Sequence, residues 1–420
     1  MKPMGARPVE FRGSAPLSIA GRNAEAWIAQ AGDTPLFVYD FSMIASRIAR
    51  LRAAMPAGVD LHYAVKANPF APLITAIAPL IDGLDVASKG ELDLVMASSG
   101  KPASVVSFAG PGKRDRELEA AIRAGATINL ESEGEADRAL AIGERVGITP
   151  RLAVRVNPEF ELRGSGMRMG GRASPFGIDA DGAAALARRV IGSGAEWRGF
   201  HIFAGSQSLD TAAIIESQAR TLTLVEQLSE QVGEIPPLVN LGGGFGIPYF
   251  AGDTPVDIEA IGDALAAALD RWDLKHSDVT AALELGRWLV GESGVYLTRV
   301  IDRKVSRGET FLVVDGGLHH QLAASGNFGT VVRRNYPVAV ATAKSAESTE
   351  MVTVVGCLCT PLDRLADQVE LPVAQPGDVM AIFMAGAYGR SASPESFLGH
   401  PPPLELLVGL PDNPNAIFTS

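Results

Sequence analysis

Two cysteines in 420 residues exclude a disulfide-stapled fold, and both stand together, at Cys357 and Cys359. A pair separated by one residue cannot close a structural loop and is too small for a structural zinc site, which points to a reducing, cytoplasmic home. The six histidines show no ligand-type spacing, so no metal is expected. No apolar run reaches the roughly 18 residues needed to cross a bilayer. The start, Met1-Lys2-Pro3-Met4-Gly5-Ala6-Arg7-Pro8, lacks the apolar core of a secretory signal. Positive charge is in deficit too: 37 Lys and Arg stand against 48 Asp and Glu, a net charge of −11. That balance argues against nucleic acid or an anionic membrane as partner. Internal repeats and low-complexity linkers are also missing.

What is present is an ordinary globular composition, 47% apolar and 20% charged, with chain enough for a barrel-sized domain and a second one. Residues 35–290 alternate short apolar runs with longer helical patterns, the mark of repeated βα units. Eight strands are predicted: Leu61 to Val65, Gly83 to Ala87, Val105 to Ala109, Ala126 to Leu130, Leu152 to Val156, Gly199 to Ala204, Leu238 to Leu241 and Ala281 to Leu285. Amphipathic helices are predicted at Arg114 to Ala124, Glu133 to Val146 and Ala212 to Val232. Eight such units favour a closed (β/α)₈ barrel, because an open sheet would leave two edges to protect. A doubly wound sheet is the alternative, and the missing G-x-G-x-x-G after the first strand speaks against it. Beyond residue 290, β-branched runs between Gly and Pro turns read as a mainly antiparallel β domain, residues 291–420, which residues 1–34 join.

Polar residues gather at the carboxyl ends of the predicted barrel strands, where such barrels keep their chemistry. Tyr63-Ala64-Val65-Lys66-Ala67-Asn68-Pro69 ends a buried strand on a lysine. Desolvation there would lower its pKa and make the amine a Schiff-base former; a snorkelling lysine is the plainer reading. Asp85 and Ser88 follow strand two, Arg155 and Asn157 strand five, and His201 with Gly205-Ser206-Gln207 strand six. Gly242-Gly243-Gly244-Phe245-Gly246 ends strand seven and Glu284-Leu285-Gly286-Arg287 strand eight. Glycines let backbone N–H groups face an anion, and loops seven and eight hold phosphate in these barrels, although a glycine run is also a plain turn. Phosphate with a Schiff-base lysine implies pyridoxal phosphate, and a carboxylate such as Glu284 would keep its pyridine nitrogen protonated. Arg155 and Arg287 could equally be rim ion pairs.

These stretches, with Phe108-Ala109-Gly110-Pro111-Gly112-Lys113, Asn129-Leu130-Glu131-Ser132, Gly356 to Asp363 and Gly386-Ala387-Tyr388-Gly389, resemble the alanine-racemase-fold decarboxylases acting on diaminopimelate, ornithine and arginine. The resemblance spans nearly the whole chain. It implies a pyridoxal phosphate site formed by Lys66, Asp85, Arg155, His201, Phe203, Ser206, Gly243, Gly244, Glu284, Gly286, Arg287 and Tyr388. It further implies a homodimer in which one subunit supplies Lys66 and the other Cys359, the proton donor, with Arg287, Thr360 and Asp363 facing the substrate.

Four departures bear on that expectation. Leu285 replaces the proline of E-P-G-R, and Phe203 replaces the second histidine of G-x-H-x-H-x-G-S-Q, keeping an aromatic ring. His319-His320-Gln321-Leu322-Ala323 stands where R-P-x-x-Y is expected, and Thr360 replaces the acid after the cysteine. A cationic distal group would lack its ionic partner, unless Asp363 supplies one. The expectation is therefore a neutral or extended substrate, such as an amino acid tethered to a carrier protein. Cys359-Thr360-Pro361-Leu362-Asp363 is similar to the pattern of decarboxylases in antibiotic-type pathways and of exosortase-associated ones. Diaminopimelate decarboxylation proper, racemisation on the same barrel and a non-catalytic decarboxylase-like binding protein are the other readings.

Overall fold

A computed structural model of the chain describes residues 2–13, 15–168, 170–273, 279–326, 334–344 and 348–411. The chain divides into two compact units, one of residues 48–247 and 255–286, the other of residues 1–47, 248–254 and 287–420.

The first unit is a ring of strands: β1 (Asp60–Ala64), β2 (Gly83–Val86), β3 (Val106–Phe108), β4 (Thr127–Leu130), β5 (Arg151–Asn157), β6 (Glu196–Ile202), β7 (Leu238–Gly243) and β8 (Thr280–Leu285). Each pairs in parallel with the next, and β8 pairs with β1, so the sheet closes on itself. All eight predicted strands are present and in the predicted order. Between them run α1 (Ala71–Ile77), α2 (Lys89–Ser98), α3 (Asp115–Ala124), α4 (Glu133–Val146), α5 (Ala180–Gly192), α6 (Thr211–Val232) and α7 (Ile258–Asp273).

Local chemistry sets these boundaries. Ser88, Ser132 and Asp210 accept hydrogen bonds from the third backbone N–H beyond them and so start α2, α4 and α6. Gly125, Gly147 and Gly233 end α3, α4 and α6 in the left-handed conformation, which costs glycine nothing. The strands are buried on both faces, with Leu84, Val106, Ile128, Leu152, Val154 and Phe200 at 1% exposure or less. That burial explains their near-continuous apolar sequence.

The second unit is a mainly antiparallel sheet of β9 (Gly294–Ser306), β10 (Glu309–Val314), β11 (Val338–Val340), β12 (Thr349–Val355), β13 (Arg364–Pro372), β14 (Val379–Ile382) and β15 (Leu404–Val408), joined by the strand Leu36–Asp40. Leu36–Asp40 corrects the sequence reading, which counts residues 35–40 in the barrel. It pairs antiparallel with β9 and parallel with β15 instead. Every residue of it is buried, so composition alone cannot separate it from a barrel strand. Strands β13 and β15 also escape the sequence reading, because charged and polar residues interrupt them.

Candidate active site

Lys66 follows β1 in a single 3₁₀ turn, Val65–Ala67, whose flanking residues are buried. Its Nζ lies 3.3 Å from Oε1 of Glu284 and 5.2 Å from the centre of the Phe203 ring. The side chain is 44% exposed, so the expected desolvation is only partial. With that exposure and a carboxylate beside it, Lys66 is not the buried, unpaired amine that the sequence reading pictures.

Glu284, on β8, is buried at 5% exposure, and its Oε2 meets Nε2 of His201 on β6 at 2.9 Å. Burial pushes the carboxyl pKa up, but the Lys66 ammonium, the His201 hydrogen bond and the charge of Arg155 outweigh it. The group is held well below the usual carboxylate range. Nδ1 of His201 is buried without a hydrogen-bond partner among the described residues.

Backbone crowding dictates the glycines after β7. A Cβ on Gly243 would stand 1.9 Å from the carbonyl oxygen of Glu284, and one on Gly244, whose φ is +81°, would stand 2.2 Å from that of Gly205. The run therefore lets β7 lie close against β8 and the turn after β6, whatever it also binds. Ser206 sits half-buried in that turn, where Gly205–Ser206 pairs with Met167–Arg168. Gly286 is tightly placed too, since a Cβ there would meet Cβ of Ala67 at 2.7 Å.

Two candidates from the same unit have other partners. Arg155 is buried and its Nη1 donates to Oε1 of Glu131 at 2.7 Å. Glu131 also accepts from the N–H groups of Gly110 and Gly177. Asp85 is buried 3.4 Å from Nδ1 of His62. Glu131 was legible as part of Asn129-Leu130-Glu131-Ser132, yet nothing in that run announces that it anchors Arg155. A second buried pair, Lys113 with Glu135 at 2.9 Å, has no sequence signal beyond the motif residue Lys113.

The remaining candidates lie in the second unit. Nη1 of Arg287 donates to the Tyr249 hydroxyl at 2.8 Å, and the guanidinium lies 4.4 Å from the centre of the Tyr388 ring. Its Nε is buried and unpartnered among the described residues. Tyr388 has φ of +52°, an uncommon backbone for a bulky residue that costs energy and persists only where its surroundings enforce it. Cys359 is exposed, whereas Cys357 is half-buried, and burial together with the Asp363 carboxylate pushes the Cys357 thiol up to about 11.

Asp363 corrects the substrate-facing expectation. It is 2% exposed, with Oδ1 accepting from Leu318 N–H at 2.6 Å and Oδ2 from Leu358 N–H at 2.9 Å. Its carboxylate braces the Cys357–Asp363 loop from inside. Thr360 is half-buried in that loop, where its N–H donates to Leu358 O at 2.8 Å. The histidines correct the expectation of no cluster, since His319, Cys357 and His400 come together.

Residues 41–291 match the family described as pyridoxal-dependent decarboxylase, pyridoxal binding domain. The chain is 36% identical over 381 residues to an L-glutamyl-[BtrI acyl-carrier protein] decarboxylase of Niallia circulans, covering 89% of each. It is 31% identical over 401 residues to a diaminopimelate decarboxylase of Archaeoglobus fulgidus, covering 93% of this chain and 91% of that one. Among solved structures, diaminopimelate decarboxylase of M. jannaschii with L-lysine superposes with a TM-score of 0.86 at 26% identity, covering 98% of this chain and 94% of that one. A closed barrel followed by a β-rich unit is thus a shared architecture: the chain belongs to the pyridoxal-dependent amino-acid decarboxylases of the ornithine and diaminopimelate decarboxylase family.

Proposed function

We propose that the chain binds pyridoxal phosphate at Lys66 and removes the α-carboxylate of an amino acid whose far end is neutral or conjugated, with a carrier-protein-tethered amino acid as the favoured substrate. Orphaned or cramped groups support the cofactor. Nδ1 of His201 and Nε of Arg287 are buried without partners among the described residues, and the Gly243–Gly244 backbone has no room for side chains. Phe203 offers a flat ring beside Lys66.

When bound, pyridoxal phosphate supplies an aldehyde for amines and a pyridine ring that takes up the electron pair left as carbon dioxide departs. The protein's own part is positioning and proton control. Glu284 is held ionised by Lys66 and His201, so it is ready to accept a hydrogen bond from a cationic ring nitrogen. Engaging Glu284 in that way would take from Lys66 the carboxylate it now faces. Glycine N–H groups and Arg287 suit the phosphate. The Sγ of Cys359 would return a proton to the substrate carbon. Cys359 is exposed, and the family resemblance assigns it to the partner's site in a homodimer. Two free thiols suit a reducing cytoplasm.

The observation behind the substrate proposal is that the Cys359 loop offers no available carboxylate. Thr360 is uncharged and Asp363 is spent on Leu318 and Leu358. A distal ammonium would enter without an ionic partner, at a cost of several kcal/mol. The carrier-protein decarboxylase of Niallia circulans supports the same direction. Carbon dioxide release should be assayed on free diaminopimelate, free glutamate and carrier-tethered glutamate. A marked preference for the tethered substrate, and a gain on diaminopimelate in Thr360→Glu, are expected. Comparable efficiency on diaminopimelate would overturn the substrate assignment.

A further inference from the structure

The β-rich unit brings together three side chains that the sequence keeps far apart. His319 follows β10, Cys357 follows β12 and His400 precedes β15. One donor atom from each lies within 4.8 Å of the other two. Sγ of Cys357 stands 3.9 Å from Nδ1 and 3.8 Å from Nε2 of His400, and the His319 and His400 ring centres are 5.1 Å apart.

The two adjacent histidines differ sharply. His320 is satisfied, with Nδ1 3.0 Å from the Tyr296 hydroxyl and Nε2 3.1 Å from Pro401 O. His319 is 0% exposed, yet neither ring nitrogen has a hydrogen-bond partner among the described residues. A buried imidazole left bare loses the hydrogen bonds it had in water, so an orphaned ring beside a thiol and a second imidazole calls for an occupant.

We propose that His319, Cys357 and His400 bind one divalent cation of the zinc class, with three protein ligands and an open fourth position. Two nitrogens and one sulfur form a borderline-soft donor set that suits zinc or cobalt over magnesium or calcium. Zinc–ligand bonds of about 2.0–2.3 Å place tetrahedral ligands ~3.3–3.8 Å apart. The Cys357–His400 separation is already near that range, and His400 is half-buried. The backbone carbonyl of Asp363 accepts from Gly356 N–H at 3.0 Å, closing the loop that carries Cys357. Asp363 also fixes the backbone around the ligand through Leu358 N–H. A bound ion would tie together the turn after β10, the segment before β15 and the loop that presents Cys359. This inference does not rest on the decarboxylase reading.

The test is cobalt(II) titration of the purified, cofactor-loaded enzyme, followed by metal analysis after dialysis. Tetrahedral cobalt absorbs in the visible beyond the range of the pyridoxal cofactor, so the two signals are read separately in one sample. One retained equivalent per chain with tetrahedral bands is expected, with Cys357→Ser and His400→Ala each weakening binding by more than about tenfold. A wild-type protein that develops no such bands would overturn the proposal, and this needs no variant to fold. Bands that persist in either folded variant, its circular dichroism matching the wild type, would overturn it as well.

Discussion

Glu284 bridges two strand ends: one carboxylate oxygen lies 3.3 Å from Nζ of Lys66 after β1, and the other 2.9 Å from Nε2 of His201 on β6. The first prediction follows from this bridge. Glu284→Gln keeps the shape and the hydrogen-bonding capacity but removes the charge. Turnover should fall by about 10²-fold or more, as for loss of a preorganised electrostatic partner, while cofactor uptake persists. Unchanged turnover in single-turnover assays would mean that the charge is not used.

A pH dependence follows from His62 and Asp85. Burial opposes a charged His62, but the Asp85 carboxylate 3.4 Å away outweighs it, and the folded-state pKa is raised above 6.5. A raised pKa stabilises the folded form fully below the unfolded value, and that contribution is lost as pH rises through the folded value. Urea midpoints should therefore decline above pH 6.5 on this account, and His62→Gln should flatten the decline. An equally steep decline in the variant would contradict it.

Crowding at the end of β7 gives a stability prediction. Gly243→Ala drives a methyl into the Glu284 carbonyl, so β7 and β8 must part, at a cost of about 1–3 kcal/mol. Gly112→Ala, where nothing lies within 4 Å, is the matched control and should be nearly neutral. Equal denaturant midpoints for the two variants would show that the glycine run is not packed as described.

The sequence displayed the barrel because βα alternation is local: every strand end is marked by a turn, a cap or a polar residue. Lys66, His201, Gly243 and Glu284 could be picked out for the same reason, each closing an apolar run. What the sequence hid is non-local. Leu36–Asp40 is as apolar as a barrel strand, and only its pairing with β9 and β15 assigns it elsewhere. Asp363 reads as a free acid one turn from Thr360, yet two backbone N–H groups claim it. His319 and His400 are 81 positions apart in number and meet only through the sheet.

Assembly gives a further prediction. Lys66 and Cys359 belong to different units, and the proposed shared-site dimer would put them on different subunits of one site. Mixing inactive Lys66→Ala and Cys359→Ala proteins should restore part of the activity through hybrid dimers. No recovery after demonstrated subunit exchange would count against the shared site.

The central claim is that Lys66 is the residue to which the cofactor attaches. Borohydride reduction of the loaded enzyme, followed by peptide mapping, tests it most directly. A single pyridoxyl adduct on the peptide containing Lys66 is expected, and none in Lys66→Ala. An adduct on a different lysine, or a wild-type protein that takes up no pyridoxal phosphate, would contradict it.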